Sequence, residues 1–325
     1  NGNNGDTLSN TQTFSNLYSF TNTGVNQTLS ETSVSEYTTT TSCVSSIGDT
    51  ETIGAIELDA GETVTCTFTN TQKGHLVVQK TTYPGADATP FPINASGTGT
   101  ITDGGAGSVT DALDKNYEVT PGTYSVTEDL TGLPLWQVDS NTCVGVVVDP
   151  GETEYCTIVN KKAVHIQVTK TSVGGVGQFD FTGGAGNFSI TTVTPNTPVD
   201  SFFDVFVNIG GQLVVITETL PSGWSVDNVA CNLATVMPGS NHSCSFTNTK
   251  LGSISGQKFN DLDGDGVKDD GEPGLSGWTI NLPGYDPVVT DENGNYIFNN
   301  VAPGNYLVSE TQQEGWTLTT PIISG

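Results

Sequence analysis

The feature that most constrains this chain is a set of three polar residues that recurs along it. Lysine and glutamate are 48 residues apart in both complete sets, and glutamate precedes asparagine by 32 residues in the first set and by 30 in the second. The members are Lys80, Glu128 and Asn160 in the first set and Lys170, Glu218 and Asn248 in the second. Lys258 and Glu310 begin a third set. Near-constant spacing of this kind indicates tandem domains.

The repeats divide the 325 residues into four units. The predicted boundaries are 1–73 for a partial unit, 74–162 and 163–250 for complete units, and 251–325 for a unit that lacks its last strand. The partial first unit keeps Glu31 and Asn70 but has no lysine of the set. Because both outer units look partial, we expect the chain to be a segment of a longer polypeptide.

Alternation of apolar and polar residues predicts strands along the chain, and almost nothing in it has helical periodicity. In a strand, residues two positions apart share a face. Leu76, Val78 and Lys80 therefore lie on one face of the first strand of their unit. The same count turns every lysine, glutamate and asparagine of the two complete sets toward the core. The predicted fold class is all-β, a tandem array of small β-sandwiches.

A lysine and a glutamate buried together must pair, neutralise or react, because an unpaired charge in an apolar core is costly. In a reactive interpretation, the desolvated lysine loses its proton and its amine attacks the asparagine side-chain amide. The glutamate, kept protonated by the same surroundings, shuttles protons while ammonia leaves, and an intramolecular isopeptide bond results. In the other interpretation, lysine and glutamate form a buried ion pair with asparagine as a hydrogen-bond partner, or the lysine head reaches solvent.

The six cysteines fall one pair to each of the first three units. In each pair the second cysteine precedes the asparagine of its unit by the same distance, which predicts disulfides within units. The pairs are Cys43 with Cys66, Cys143 with Cys156, and Cys231 with Cys244. Small domains with modest cores gain stability from such links. Structural disulfides form in oxidising compartments, so we expect an extracellular or cell-surface location.

The chain is strongly acidic, with a formal net charge of −26 and nine basic residues, all of them lysine. This balance disfavours nucleic-acid binding, because no basic patch can neutralise phosphates. No apolar run is long enough to predict a membrane-spanning helix. The sequence lacks a Ser, His and Asp arrangement, a phosphate-binding loop and an open metal site, so we do not expect an enzyme.

The segment DLDGDGVKDDGE, residues 261–272, matches an EF-hand-type calcium loop. Carboxylates stand at the positions that supply ligands, and Gly266 stands where such a loop turns sharply. The predicted Ca²⁺ ligands are Asp261, Asp263, Asp265, the Val267 carbonyl, Asp269 and Glu272. The flanking segments are typical of strands rather than helices. We therefore expect the ion to order a loop of a β-domain rather than to act as a sensor.

The last unit resembles the calcium-binding B-type repeats of serine-aspartate-repeat surface proteins, through DLDGDGVKDDGEPGLSGWTI and TDENGNYIFNNVAPGNYLVSET. The two complete units resemble collagen-adhesin B-type and pilin domains, through the inward lysine, the glutamate after a glycine turn and the asparagine in the closing strand. Both resemblances imply a prealbumin-like Greek-key β-sandwich in each repeat. They also imply Ca²⁺ at the acidic loop, and isopeptide bonds from Lys80 to Asn160 and from Lys170 to Asn248 with Glu128 and Glu218 as catalysts.

We therefore expect a structural component of an extracellular appendage or layer, such as a stalk, a filament or a surface-layer protein. The expected partners are further copies of the chain or neighbouring repeats of a longer one. The alternative is an adhesin that binds a host or matrix ligand at the cell surface. Four sequons are candidate glycan sites in a secreted protein, at Asn26, Asn94, Asn187 and Asn241.

Overall fold

The computed structural model describes residues 28–319. Within that range the regular structure consists of β-strands and contains no helix, which confirms the predicted all-β class. The chain divides into two compact units, one ending at Ala163 and the other beginning at Val164. The sequon at Asn26 lies outside the described residues.

The partial repeat at the start of the described residues contains a two-stranded hairpin. Strands β1 (Tyr37–Ser45) and β2 (Val64–Gln72) pair antiparallel, and their register sets Cys43 opposite Cys66. The side-chain amide of Asn70 donates a 2.9 Å hydrogen bond to Glu31. The glutamate and asparagine of this repeat therefore meet on an exposed surface rather than in a core.

Residues 74–162 form a sandwich of two four-stranded sheets. Its strands are β3 (Gly74–Tyr83), β4 (Phe91–Gly97), β5 (Ala106–Val109), β6 (Lys115–Val119), β7 (Gly122–Glu128), β8 (Trp136–Asn141), β9 (Val146–Val148) and β10 (Thr153–Lys162). The sheet orders are β6-β3-β10-β8 and β5-β4-β7-β9. The first and last strands, β3 and β10, are parallel neighbours. Because they run in the same direction, the sandwich begins at one end and finishes at the other.

The core of this sandwich follows the predicted alternation. Leu76 and Val78 on β3 are fully buried, and Lys80 shares their inner face. Phe91 and Tyr124, from the facing sheet, are also fully buried and fill the space between the sheets. The lysine is thus set among apolar and aromatic side chains.

The sandwich of residues 164–250 repeats this arrangement. Its strands are β11 (Val164–Val173), β12 (Gln178–Gly183), β13 (Phe188–Thr191), β14 (Val199–Val205), β15 (Gln212–Thr219), β16 (Trp224–Val226), β17 (Ala230–Val236) and β18 (Asn241–Lys250). The sheet orders are β14-β11-β18-β16 and β13-β12-β15-β17, and β11 is parallel to β18. Ile166, Val168, Phe181 and Ile216 lie in its core.

The last repeat is built from shorter strands. These are β19 (Gly252–Gln257), β20 (Thr279–Asn281), β21 (Val288–Val289), β22 (Asn295–Val301) and β23 (Ser309–Glu310). Strands β19 and β22 form one sheet, and β21-β20-β23 form the other. Ile280, Leu282, Phe298 and Val301 are buried between them. The acidic loop, residues 261–272, connects β19 to β20.

Candidate functional site

The first set of polar residues meets in the core of the sandwich formed by residues 74–162. Lys80 Nζ lies 2.5 Å from Glu128 Oε1, and the two side chains are 0% and 1% exposed. The side-chain amide of Asn160 donates a 2.7 Å hydrogen bond to Glu128 Oε2. One carboxylate therefore contacts both the amine and the amide.

The two sheets divide this set between them. Lys80 and Asn160 lie on the parallel neighbours β3 and β10, while Glu128 lies on β7 in the facing sheet. The register sets Lys80 opposite Ile158 and Thr82 opposite Asn160. Since residues two apart share a face, the lysine and the asparagine point into the core side by side.

The second set has a related geometry in the sandwich of residues 164–250. Lys170 Nζ lies 3.2 Å from Glu218 Oε2, and both side chains are fully buried. Asn248 Nδ2 donates to Glu218 Oε1 at 2.5 Å, and Asn248 Oδ1 accepts from Lys170 Nζ at 2.5 Å. Here the amine contacts the amide oxygen directly. In the first set, by contrast, the amide oxygen Asn160 Oδ1 is buried without a hydrogen-bond partner.

An aromatic ring lies beneath the amine of each repeat lysine. The distance from Nζ to the ring centroid is 4.2 Å for Lys80 and Phe91, 4.2 Å for Lys170 and Phe179, and 4.5 Å for Lys258 and Trp278. A tryptophan packs against each ring in an edge-to-face pair, and the pairs are Phe91 with Trp136, Phe179 with Trp224, and Trp278 with Trp316. Sequence reasoning did not identify the rings beneath the amines, because the three rings follow their lysines at unequal distances along the chain. Cation–π attraction adds to the pairing of each buried amine.

Burial lowers the pKa of the amino groups of Lys80 and Lys170. Desolvation is the largest cause for both, and the hydrogen bond and charge of the partner glutamate oppose it without cancelling it. The charge of Asp111, which accepts a 2.7 Å hydrogen bond from the Thr82 backbone, opposes it further at Lys80. A lowered pKa raises the fraction of neutral amine, which is the nucleophilic form. The arrangement therefore suits either a buried ion pair or attack of the amine on the amide.

The third set is a more accessible pair in the last repeat. Lys258 Nζ lies 2.8 Å from Glu310 Oε2, and the side chains are 15% and 13% exposed. Glu310 belongs to β23, which pairs with β20. Solvent reaches this pair, so the Lys258 amine is a weaker candidate for a reaction that requires desolvation.

Disulfides join the three predicted cysteine pairs. The Cα atoms are 4.0 Å apart in Cys43–Cys66, 4.9 Å in Cys143–Cys156 and 5.9 Å in Cys231–Cys244. Cys156 and Cys244 lie on β10 and β18, the strands that carry Asn160 and Asn248. Each of these two disulfides therefore anchors the strand that presents the amide to the core.

The acidic loop between β19 and β20 brings three carboxylates together. Oxygens of Asp261, Asp263 and Asp265 all lie within 4.8 Å of one another. The carboxylate of Asp261 accepts hydrogen bonds from the backbone amides of Gly264 at 2.8 Å and Gly266 at 2.9 Å. The turn of the loop thus holds the first predicted ligand in place.

The other predicted ligands lie outside this group of three. Glu272 is buried, and its carboxylate accepts hydrogen bonds from the backbone amides of Leu262 at 2.7 Å and Asp269 at 3.0 Å. Asp269 and Val267 are exposed. Through these hydrogen bonds, Glu272 at the end of the loop contacts the backbone near its start.

Negative charge is concentrated in the loop. A backbone hydrogen bond from Asp265 lowers the pKa of Asp263, but partial desolvation and the charges of Asp265, Asp261 and Asp269 outweigh it and raise that pKa overall. Ca²⁺ is a hard cation that takes carboxylate and carbonyl oxygens. Converging carboxylates that repel one another in this way fit such an ion.

Among residues 28–319, no helix is long and apolar enough to cross a membrane. The sequons within that range, at Asn94, Asn187 and Asn241, are exposed.

Comparison with known families agrees with this architecture. Two families described as "Prealbumin-like fold domain" match residues 74–169 and 166–235, and the family "SdrD B-like domain" matches residues 252–324. The chain is therefore built of tandem prealbumin-like repeats of the B type. Its last repeat is an SdrD B-like domain.

Staphylococcal proteins are among the relatives of this chain. Serine-aspartate repeat-containing protein F of Staphylococcus epidermidis is 28% identical over 264 residues, which are 78% of this chain and 14% of that protein. A "Fibrinogen-binding protein" of the same species is 35% identical over 80 residues, 23% of this chain and 7% of that protein. The chain thus spans a small part of the relatives it matches. Together with the disulfides, these matches indicate an extracellular or cell-surface protein.

Solved structures with a similar arrangement include two from Bacillus. BcpA, the major pilin subunit of Bacillus cereus, superposes with a TM-score of 0.33 at 11% identity, over 78% of this chain and 94% of that chain. The Bacillus anthracis TIE protein superposes with a TM-score of 0.30 at 16% identity, over 79% of this chain and 49% of that one. Values this low are no guide to function.

Replacing Glu128 with alanine should lower the stability of the repeat at residues 74–162 by at least about 3 kcal/mol, because the Lys80 amine is left in the core without its partner. The matched control is Asp103→Ala, which removes the partner of Lys115 from a pair whose side chains are 45% and 26% exposed and should therefore cost much less stability. Hydrogen exchange of peptides within residues 74–162 of the full chain measures the loss of stability in each variant. Equal losses in the two variants would contradict a pair sealed from solvent.

Proposed function

We propose that each complete repeat closes a lysine–asparagine isopeptide bond in its core, and that the chain is a structural segment of an extracellular stalk, filament or surface layer. The observation that carries this proposal is the contact of one buried carboxylate with both an amine and an amide, present in both repeats. A permanent ion pair would also satisfy the amine. The lowered pKa of both lysines and the adjacent amides favour the reactive interpretation.

The amine and the amide of each set already contact the same glutamate. The neutral Nζ of Lys80 adds to Cγ of Asn160, the Cγ–Nδ2 bond breaks, and ammonia leaves. Glu128 accepts a proton from Nζ through Oε1 and delivers one to Nδ2 through Oε2, and each oxygen lies within hydrogen-bond distance of the atom it serves. No oxidant or reductant is required. In the second repeat the same roles fall to Lys170, Asn248 and Glu218.

The position of the bond suits a chain under tension. Strand β3 opens the repeat at Gly74, and β10 closes it at Lys162. Tension along the chain therefore enters and leaves through the two strands that the bond from Lys80 to Asn160 joins. Force would pass through a covalent link rather than through the hydrogen bonds of the sandwich.

The proposal includes Ca²⁺ at the acidic loop of the last repeat. Asp261, Asp263 and Asp265 would hold the ion, with Asp269, Glu272 and the Val267 carbonyl as further predicted ligands. When bound, the ion supplies positive charge that offsets the repulsion among the carboxylates. The hydrogen bonds of Glu272 across the loop already restrict its shape.

A second candidate function is ligand binding as part of an adhesin. The observation that favours it is an exposed aromatic platform, in which Phe202, 58% exposed, stacks on His165 with ring centroids 5.4 Å apart. One relative is named for fibrinogen binding. Binding of the full chain to immobilised fibrinogen that is lost in Phe202→Ser would favour the adhesin over a purely structural role.

Intact mass spectrometry of the reduced, calcium-free chain tests the cross-links. We expect the mass to be lower than the sequence mass by one ammonia for each of the two complete repeats, and digestion to yield peptides joining Lys80 to Asn160 and Lys170 to Asn248. In Lys80→Ala the mass deficit relative to the variant's own sequence should fall to one ammonia. In Lys115→Ala, which alters an exposed pair, the deficit should stay at two. A mass equal to that of the sequence would refute the proposal and leave buried ion pairs.

Removing calcium tests the loop. Chelation should lower the unfolding temperature of the last repeat, because an ion bound to the folded state alone stabilises it by mass action. Asp263→Asn should weaken calorimetric Ca²⁺ binding, while Asp286→Asn, outside the loop in the same repeat, should not. An unfolding temperature that does not change on chelation, or equal Ca²⁺ affinity in the two variants, would contradict a calcium site in this loop.

A further inference from the structure

Two buried polar atoms without hydrogen-bond partners occur next to the first cross-link site. One is the amide oxygen of Asn160, and the other is the hydroxyl oxygen of Thr82. Thr82 is 1% exposed and Asn160 is 0% exposed. The register of β3 and β10 sets these two residues directly opposite each other. The Thr82 hydroxyl can donate a hydrogen bond, and the Asn160 amide oxygen on the neighbouring strand can accept one.

Buried polar groups are almost always paired, so an unpaired donor beside an unpaired acceptor calls for an explanation. The amide oxygen becomes the point of highest charge when Lys80 Nζ adds to Asn160 Cγ, because the carbonyl electrons move onto it. The site is shielded from bulk solvent, since Thr82 and Asn160 are both buried. Lys80 and the Asn160 amide nitrogen are both engaged with Glu128, which leaves the Thr82 hydroxyl as the adjacent free donor.

We propose that the Thr82 hydroxyl donates a hydrogen bond to Asn160 Oδ1 as the lysine attacks, and stabilises the negative charge that develops there. This role rests on the isopeptide bond proposed above. The two residues lie opposite each other on neighbouring strands, and the same hydrogen bond then satisfies the carbonyl oxygen of the finished cross-link. Thr82 is thereby a participant in the reaction and not only a core residue.

In the second repeat the asparagine amide oxygen already has a hydrogen-bond donor. Ser172 stands opposite Asn248 as Thr82 stands opposite Asn160. Its hydroxyl donates to the Gly175 carbonyl at 2.8 Å and lies 2.7 Å from the Thr192 hydroxyl. Asn248 Oδ1 accepts from Lys170 instead. Ser172 is therefore a matched control, since it occupies the equivalent position but is engaged elsewhere.

The test compares the two cross-links within one molecule. The full chain is synthesised in a cell-free reaction under oxidising conditions, quenched in acid denaturant at intervals and digested, and the peptides joining Lys80 to Asn160 and Lys170 to Asn248 are quantified. Thr82→Val should slow the first link by about 100-fold, the cost of losing one oxyanion donor, and leave the second unchanged. Thr82→Ser should restore the rate, and Ser172→Ala should slow neither link.

The Cys143–Cys156 disulfide in the same samples reports on folding of the repeat. A wild-type rate in Thr82→Val, an equal loss in Thr82→Ser, or a parallel delay of the disulfide would each overturn the role of Thr82 while leaving the cross-link intact. Absence of both links from the wild-type chain would refute the proposed function itself, and the role of Thr82 with it.

Discussion

Each complete repeat depends on a lysine amine that is held in an apolar core between two sheets. An amine in that position requires partners, because desolvation without compensation would destabilise the fold. The glutamate comes from the facing sheet, the amide from the parallel neighbouring strand, and an aromatic ring lies beneath. These groups come from strands far apart in sequence, so they meet only when the sandwich has formed. Chemistry among them is therefore coupled to folding.

The two complete repeats use the same residues with different hydrogen bonds. In one, Lys170 contacts the amide oxygen of Asn248 as well as the glutamate. In the other, Lys80 contacts the glutamate and leaves the amide oxygen of Asn160 open. The residue opposite the asparagine also differs, a threonine in the first and a serine in the second. Repeats that look equivalent in sequence therefore present their amides to the amine in unlike surroundings.

Alternation of apolar and polar residues was enough to predict strands and the inner face of β3, because side-chain direction in a strand follows from counting. The pairing of the cysteines followed from their repeated distance to the asparagine of each unit. It could not predict that β3 pairs in parallel with β10, since that pairing is decided by contacts between distant segments. The rings of Phe91 and Phe179 were missed because an isolated phenylalanine in a strand is typical of any core. Glu272 was predicted as a ligand from its position in the loop, and its hydrogen bonds to the backbone amides of Leu262 and Asp269 depend on loop geometry that spacing does not specify.

The central claim is that the lysine and asparagine of each complete repeat are covalently joined, so that tension bypasses the sandwich. Single-molecule stretching of the reduced, calcium-free chain between its ends tests this most directly. The account predicts that residues 81–159 and 171–247 never add to the extended length, because each stretch lies behind a bond from lysine to asparagine. Stepwise lengthening that corresponds to release of those two stretches would contradict it, and would show that the buried triads are held by hydrogen bonds and charge alone.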